Sequence, residues 1–281
     1  MAEPAIIFED NHIIVVIKPQ NVPCCPDESG DENLLDALKN SPSLRAPAKQ
    51  SSAILNTNNG LDVRTSSGLL PDVAMTKQKQ FFIGLVHRLD RVTGGVMVYA
   101  KTSKAASRLS AQIKSGGFEK IYLAAVVGVP KNREGTLINH LLKNESKNVV
   151  EIVPAATTGA KRAELSYTVL NKSPIDGANI SLVEIKLKTG RSHQIRVQMA
   201  GIGCPIFGDV KYGNAVSSKL ALWAHKLVFS HPTSGDTMRF IVNPPEEIPW
   251  TSFDFDRRAH KTMNGSPPTW RGGSEADGVV K

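Results

Sequence analysis

Apolar and polar positions along this chain fall into short blocks rather than one sustained period. Ile13 to Ile17 are consecutive aliphatic residues stopped by Lys18-Pro19, which predicts a buried strand running into a turn. A second apolar run (Phe82, Ile83, Leu85, Val86) and a third (Val96 to Tyr99) enclose a polar stretch, predicting a loop between two buried strands. The period then changes. In Thr102 to Gly117 the residues Ala106, Leu109 and Ile113 recur at i, i+3 and i+7, with Thr102 or Ser103 as N-cap and Gly116-Gly117 as the stop, which predicts a helix. Strands are expected at Tyr122 to Val127 and Ala163 to Leu170, and at Val183 to Leu187, where apolar residues alternate with Glu184 and Lys186. Gly190 turns the chain into a helix from about Ser192 that packs through Ile195, Met199 and Ile202, and late strands are expected at Leu222 to Phe229 and Met238 to Val242. There is no internal repeat and no βαβα rhythm, so the pattern predicts an α+β domain with a large, mainly antiparallel sheet.

Two stretches break this pattern. Residues 27–80 begin acidic, carry one short helical piece at Leu34, Leu35 and Leu38, and become rich in Ser, Asn, Pro and Lys. They are expected to be a flexible insertion in a single body spanning residues 1–256. Residues 257–281 are polar and read as a disordered tail.

Composition narrows the partner and the compartment. The net charge of +8 is carried by residues 81–256, which hold 22 Lys and Arg against 14 Asp and Glu, so a polyanionic partner is favoured. Three cysteines, two of them adjacent (Cys24, Cys25), form neither a CxxC pair nor a disulfide framework, and no zinc-ligand spacing accompanies them. No apolar stretch reaches the roughly 20 residues that cross a bilayer, and the N-terminus is acidic. The reading is a cytoplasmic monomer that binds no metal.

Candidate chemistry lies in the loop between the second and third apolar runs. His87 to Gly95, HRLDRVTGG, places Asp90 between Arg88 and Arg91. Such a carboxylate suits covalent or electrostatic work on a sugar carbon that a polyanion presents. A surface turn would use the same residue types, and on spacing alone the two readings weigh equally. A glycosidase would need a second acid at a defined separation, and Glu119 and Asp209 read as structural. A non-catalytic RNA-binding protein would have no need of the acid.

Further blocks decide between these readings. HRLD followed by T-x-G, the Ile13 to Pro19 block, FEKIYLAAVVG (Phe118 to Gly128) and LKTGRSHQIRVQMAGIGCPIFGDVKYG (Leu187 to Gly213) closely resemble, in order, the motifs of the RluA-type RNA pseudouridine synthases. The resemblance spans roughly Ile6 to Trp250. It implies the pseudouridine synthase fold, a large mixed, mainly antiparallel sheet with flanking helices and a central cleft. It implies isomerisation of particular uridines in rRNA or tRNA without a cofactor. Asp90 takes the place of the catalytic carboxylate, acting at C1′ or by removing a C2′ proton. Tyr122 takes that of the tyrosine that stacks on the uracil, and Arg196 that of the arginine pairing with the acid. On the expected helix His193 and Arg196 share a face turned away from the core. Arg88 resembles the residue that fills the gap left by the flipped nucleotide, and Arg91 and Arg191 are expected at RNA phosphates. Lys18 and Lys120 are expected to be structural or to contact phosphate, and His193 is left without a catalytic role. The small S4-type RNA-binding domain that precedes the first block in many relatives is not expected here. One departure stands beside the acid, where the family's Thr-Ser-Gly is Thr93-Gly94-Gly95.

Overall fold

In a computed structural model the described residues are 4–41, 82–213 and 219–254. They form one eleven-stranded sheet with three helices. The strands are β1 (Ala5–Glu9), β2 (Ile13–Lys18), β3 (Gly84–Leu85), β4 (Gly94–Ala100), β5 (Glu119–Val127), β6 (Glu134–Asn144), β7 (Val149–Val153), β8 (Lys161–Ile175), β9 (Ala178–Leu187), β10 (Leu222–Ser230) and β11 (Thr237–Ile241). The helices are α1 (Leu34–Asn40), α2 (Ser103–Lys114) and α3 (Gln194–Gly201). The sheet order is β1-β2-β4-β10-β5-β9-β8-β6-β7, with β11 also pairing β10 and β3 also pairing β4. Every pairing is antiparallel except β4 with β10, so the sheet is mixed and mainly antiparallel.

The central strands are buried on both faces. β4 has no exposed residue, and neither do Tyr122 to Val126 of β5. β9 alternates as expected over Val183 to Leu187, and it begins earlier than expected, with Ile180 to Leu182 buried in succession ahead of that stretch. On one face α2, capped by the Thr102 side chain, packs Ala105 and Leu109 against Ile13, Val15, Val96, Val98, Leu227 and Phe229. On the other, α1 buries Leu34 and Leu38 with Ile14, Val16, Met97 and Tyr99.

Several boundaries differ from the sequence reading for identifiable reasons. β8 runs on to Ile175 through a register shift between Val169 and Asn171, an irregularity that simple alternation does not predict. β6 and β7 lie at one side of the sheet, and the apolar pairs Leu137-Ile138 and Leu141-Leu142 hide the period of β6. Phe82 is exposed and β3 is only two residues long, so the apolar run before the HRLD loop is not a full buried strand. α3 starts at Gln194 rather than Ser192, and Ile202 lies beyond its end, partly exposed. Within residues 27–41, read as the start of an insertion, 27–32 are exposed but 33–41 pack onto the body: Asn33 caps α1, and the Leu34 N–H donates to the Pro23 carbonyl. The rest of that stretch and the expected tail lie outside the described residues.

Candidate active site

Asp90 sits on a loop fixed from several sides. The loop enters from β3, whose Leu85 pairs with Tyr99, and His87 is locked next: its Nε2 accepts the Val98 N–H at 3.1 Å. Burial, with Lys120 nearby, pushes the His87 pKa down to about 3, so the ring stays neutral and keeps that acceptor. Leu89 is buried and held by Cys24, whose Sγ donates to its carbonyl (3.1 Å) and accepts its N–H (3.4 Å). The Asp90 carbonyl then closes a turn by accepting the Thr93 N–H at 2.9 Å.

The far side of the loop is clamped by Lys18, which is fully buried. Its Nζ donates to the carbonyls of Pro19 (2.8 Å), Arg91 (2.9 Å) and Thr93 (2.8 Å), using all three ammonium protons. Burial lowers its pKa to about 8, opposed in part by Cys24 and Asp90. Of the two roles that the sequence left to Lys18, the geometry gives the structural one. Gln20 adds a strut from Nε2 to the Val92 (3.1 Å) and Leu220 (2.6 Å) carbonyls.

The glycine pair follows from what lies beside it. Gly94 and Gly95 pair in parallel with Trp223 and Ala224 of β10. A Cβ on Gly94 would lie 2.9 Å from Trp223 Cε3 and closer still to Cζ3. On Gly95, at φ +120°, a Cβ would meet the Ala224 backbone, its nitrogen at 2.6 Å. The family's serine is therefore replaced here where the Trp223 ring fills the space, while Gly95 is demanded by backbone conformation and contact.

Register brings Tyr122 to this loop. Gly95, Ala224 and Tyr122 lie opposite one another across β4, β10 and β5, so Tyr122 stands two strand spacings, about 10 Å, from the strand that Asp90 leads into. It is buried, and its hydroxyl pKa is raised well above the usual value, chiefly by burial and then by Asp90. A small cavity beside it is lined by His87, Val96, Lys120, Ala224, Lys226 and Leu227.

Arg196 is buried rather than on a face turned away from the core, because α3 is enclosed from Gln194 through Met199. Its direct partner is not Asp90. Nε and Nη2 donate to the two carboxylate oxygens of Asp209 at 2.8 and 2.6 Å, and Asp90 acts on it at longer range. Burial disfavours the guanidinium charge, but the Asp209 bonds and charge more than offset it, so its pKa is raised. Burial likewise opposes the Asp209 carboxylate, which Arg196 and the Tyr212 and Lys211 N–H groups nevertheless hold below its usual range. The Tyr212 ring covers the guanidinium, 5.1 Å from centroid to Cζ, and its hydroxyl bonds His193 Nδ1 at 2.7 Å. Asp209 and Tyr212 had seemed structural or gone unremarked. Their signal was an acid and a tyrosine in the same long motif as Arg196, but only the fold makes them neighbours.

The other arginines divide. Arg88 is exposed and makes no side-chain hydrogen bond within the described residues, leaving its donors to solvent or substrate. Arg91 is engaged by the body, with its guanidinium on the Asp31 carboxylate, Ser29 Oγ (3.1 Å) and the Asn21 carbonyl (3.2 Å). Arg191 is exposed, with Nε on the Arg162 carbonyl at 3.1 Å. Among the described residues no group of three or more His, Cys, Asp or Glu is arranged to hold a metal ion, and no helix is long and apolar enough to cross a membrane.

A buried carboxylate-arginine pair and a buried tyrosine gathered about the Asp90 loop are accompanied by a family match. The model described as RNA pseudouridylate synthase covers residues 12–201. The chain belongs to the RNA pseudouridine synthase family. Ribosomal large subunit pseudouridine synthase D of Zymomonas mobilis is 30% identical over 258 residues, covering 86% of this chain and 70% of the relative. RNA pseudouridine synthase 2, chloroplastic, of rice (Oryza sativa subsp. japonica) is 27% identical, covering 86% and 62%. The solved human RNA pseudouridylate synthase domain containing 1 matches with a TM-score of 0.63 at 20% identity, covering 86% of this chain and 84% of that one, a likeness of fold. The chain is thus a pseudouridine synthase, an intramolecular isomerase acting on RNA, and its sheet is the pseudouridine synthase fold.

Proposed function

We propose that this synthase isomerises particular uridines of ribosomal or transfer RNA, with Asp90 as its catalytic carboxylate. The observation that carries this reading is convergence. Register sets Tyr122 of β5 two strands from the strand that Asp90 leads into, and Lys18 of β2 binds the Arg91 and Thr93 carbonyls of the Asp90 turn, while the Asp90 charge also bears on Arg196 of α3, although all lie far apart in sequence. The reaction breaks the N1–C1′ bond, turns the freed uracil and joins C5 to the same carbon, while the C5 proton is lost and N1 regains one. Asp90 is the carboxylate beside the sugar. Tyr122 offers a flat surface to the loosened base, and its hydroxyl, held firmly protonated, is a donor rather than a base. Arg196 supplies positive charge near the acid. Arg88, exposed two residues before Asp90, fits the gap that a flipped nucleotide leaves in the RNA. Exposure supports a phosphate contact for Arg191, whereas Arg91 braces the loop and reaches RNA only if Asp31 releases it.

Relatives named for the large ribosomal subunit favour ribosomal RNA as the target. The free thiols Cys24, Cys25 and Cys204 fit the cytoplasm, and a monomer completes the reading. Two measurements test it. Carbodiimide-stop mapping of pseudouridines in total RNA, with and without the gene, should lose discrete ribosomal positions. Asp90→Asn should keep fold and RNA affinity and lose tritium release from 5-tritiated uridine in that RNA; undiminished release by the folded variant refutes the assignment.

A further inference from the structure

The arrangement around Arg196 is more elaborate than stability requires. A buried ion pair can be replaced by packed apolar residues at little cost or with a gain in stability, because desolvation offsets the attraction. Yet Asp209 is fully buried, takes Arg196 on both oxygens, and also accepts the Lys211 and Tyr212 N–H groups at 2.9 and 3.1 Å. Strain lies at the same place. His193 stands at the N-cap of α3 in the left-handed region, φ +49°, makes no side-chain cap, and turns its Nδ1 to the Tyr212 hydroxyl. That hydroxyl accepts the Val150 N–H at 2.7 Å, so its own proton goes to His193. Burial, helped by the Arg196 and Lys211 charges, outweighs Asp90 and Asp209 and lowers the His193 pKa, which keeps Nδ1 an acceptor. Backbone strain and a costly buried charge together mark a geometry held for use.

We infer that Asp209 and Tyr212 are positioning residues of the isomerisation, a carboxylate edge and an aromatic face that hold the Arg196 guanidinium within reach of Asp90. The two Asp209 oxygens occupy Nε and Nη2, and Nη1 makes no hydrogen bond within the described residues. The Tyr212 ring fixes the guanidinium plane, while Val150 and His193 fix the ring. Arg196 therefore cannot swing to quench Asp90 in a tight bidentate pair. Its charge is shared with Asp209, and one edge remains for the acid or the substrate. This rests on Asp90 being the catalytic carboxylate.

The test uses the full chain, with 5-tritiated bulk RNA from cells lacking the gene as substrate. For Asp209→Asn, kcat should fall about 10- to 100-fold with KM and RNA affinity within about twofold of wild type, the mark of a misplaced group rather than a lost binding contact. Tyr212→Phe, which keeps the ring and loses both hydroxyl bonds, should lower kcat about three- to tenfold, again without a KM change. In an Arg196→Met background Asp209→Asn should cost nothing further, since both act through one guanidinium. A folded Asp209→Asn enzyme with undiminished kcat, a loss confined to KM, or additive losses in the double variant overturns the inference. Should Asp209→Asn fail to fold, Tyr212→Phe decides, and an unchanged kcat there is equally fatal. Tritium release that survives Asp90→Asn would instead defeat the underlying reading, and the positioning role with it.

Discussion

Replacing Gly94 by serine, the residue that the family usually carries there, should destabilise this protein although it restores the common motif. The backbone is not the obstacle, because Gly94 is absent from the positive-φ glycines. The obstacle is the Trp223 ring, which would stand within 3 Å of the new Cβ and is itself tied down by its Nε1 bond to the Val242 carbonyl at 3.0 Å. Forcing extra atoms into a packed site costs about 1–3 kcal/mol. For a chain of this size that is a fall of about 2–12 °C in the thermal midpoint. Trp223→Leu alone should also be destabilising, through the cavity it leaves. The double variant should be more stable than the sum of the two losses by about 1–3 kcal/mol, because the leucine vacates the space that the serine needs. At Gly95 no partner can be trimmed, since the clash is with the Ala224 backbone, and Gly95→Ala should find no side-chain suppressor. Thermal and urea unfolding of the four proteins of the cycle measure this. Wild-type stability for Gly94→Ser, or strict additivity with Trp223→Leu, would refute the claim that Trp223 explains the glycine.

The Lys18 clamp predicts an alkaline limb in kcat near pH 8. Above it the neutral amine can serve only two of the three carbonyls, and below it the profile should be flat. Because the folded pKa lies below the ordinary 10.5, the unfolded chain binds more protons between the two values and this group makes stability rise with pH there. A thermal midpoint falling in step with kcat from pH 8 to 9 would therefore assign the limb to unfolding and remove Lys18 from the explanation. Tyr122→Phe should slow turnover and spare RNA binding if the hydroxyl donates a proton, whereas Tyr122→Leu should weaken capture of the flipped base by about 1–3 kcal/mol. Filter binding and single-turnover tritium release separate the two, and a Leu variant equal to wild type in both would make Tyr122 a packing residue.

The parts of this molecule legible in its sequence are those where one local pattern has one physical solution. Thr102 before a 3.6-residue apolar period and Gly116-Gly117 after it allow little but α2, and five aliphatics before Lys18-Pro19 allow little but β2. The family was legible because the residues around Asp90 and Tyr122 form contiguous motifs. Strand ends were not: β8 crosses an irregularity at Asn171, and β6 sets the apolar pairs Leu137-Ile138 and Leu141-Leu142 side by side, so neither shows a clean alternation in sequence. Side-chain partnership was the hardest thing to read. Helical spacing put His193 and Arg196 on one face, but His193 is the left-handed N-cap outside α3, and the two are related through the Tyr212 ring instead. Here α3 is enclosed from Gln194 through Met199, so the face expected to point away from the core is buried. Once buried, the guanidinium needs a carboxylate at hydrogen-bonding distance. The loop that ends in Tyr212 brings Asp209 there, whereas the HRLD loop is committed to Lys18, Cys24 and His87 and reaches Arg196 only at longer range. The same constraint accounts for a lysine whose charge is spent on three carbonyls. Lys18 and Arg196 are thus held by carbonyls and a carboxylate of the protein itself, so the charge that these two present to Asp90 is fixed by packing, in contrast to the exposed Arg88.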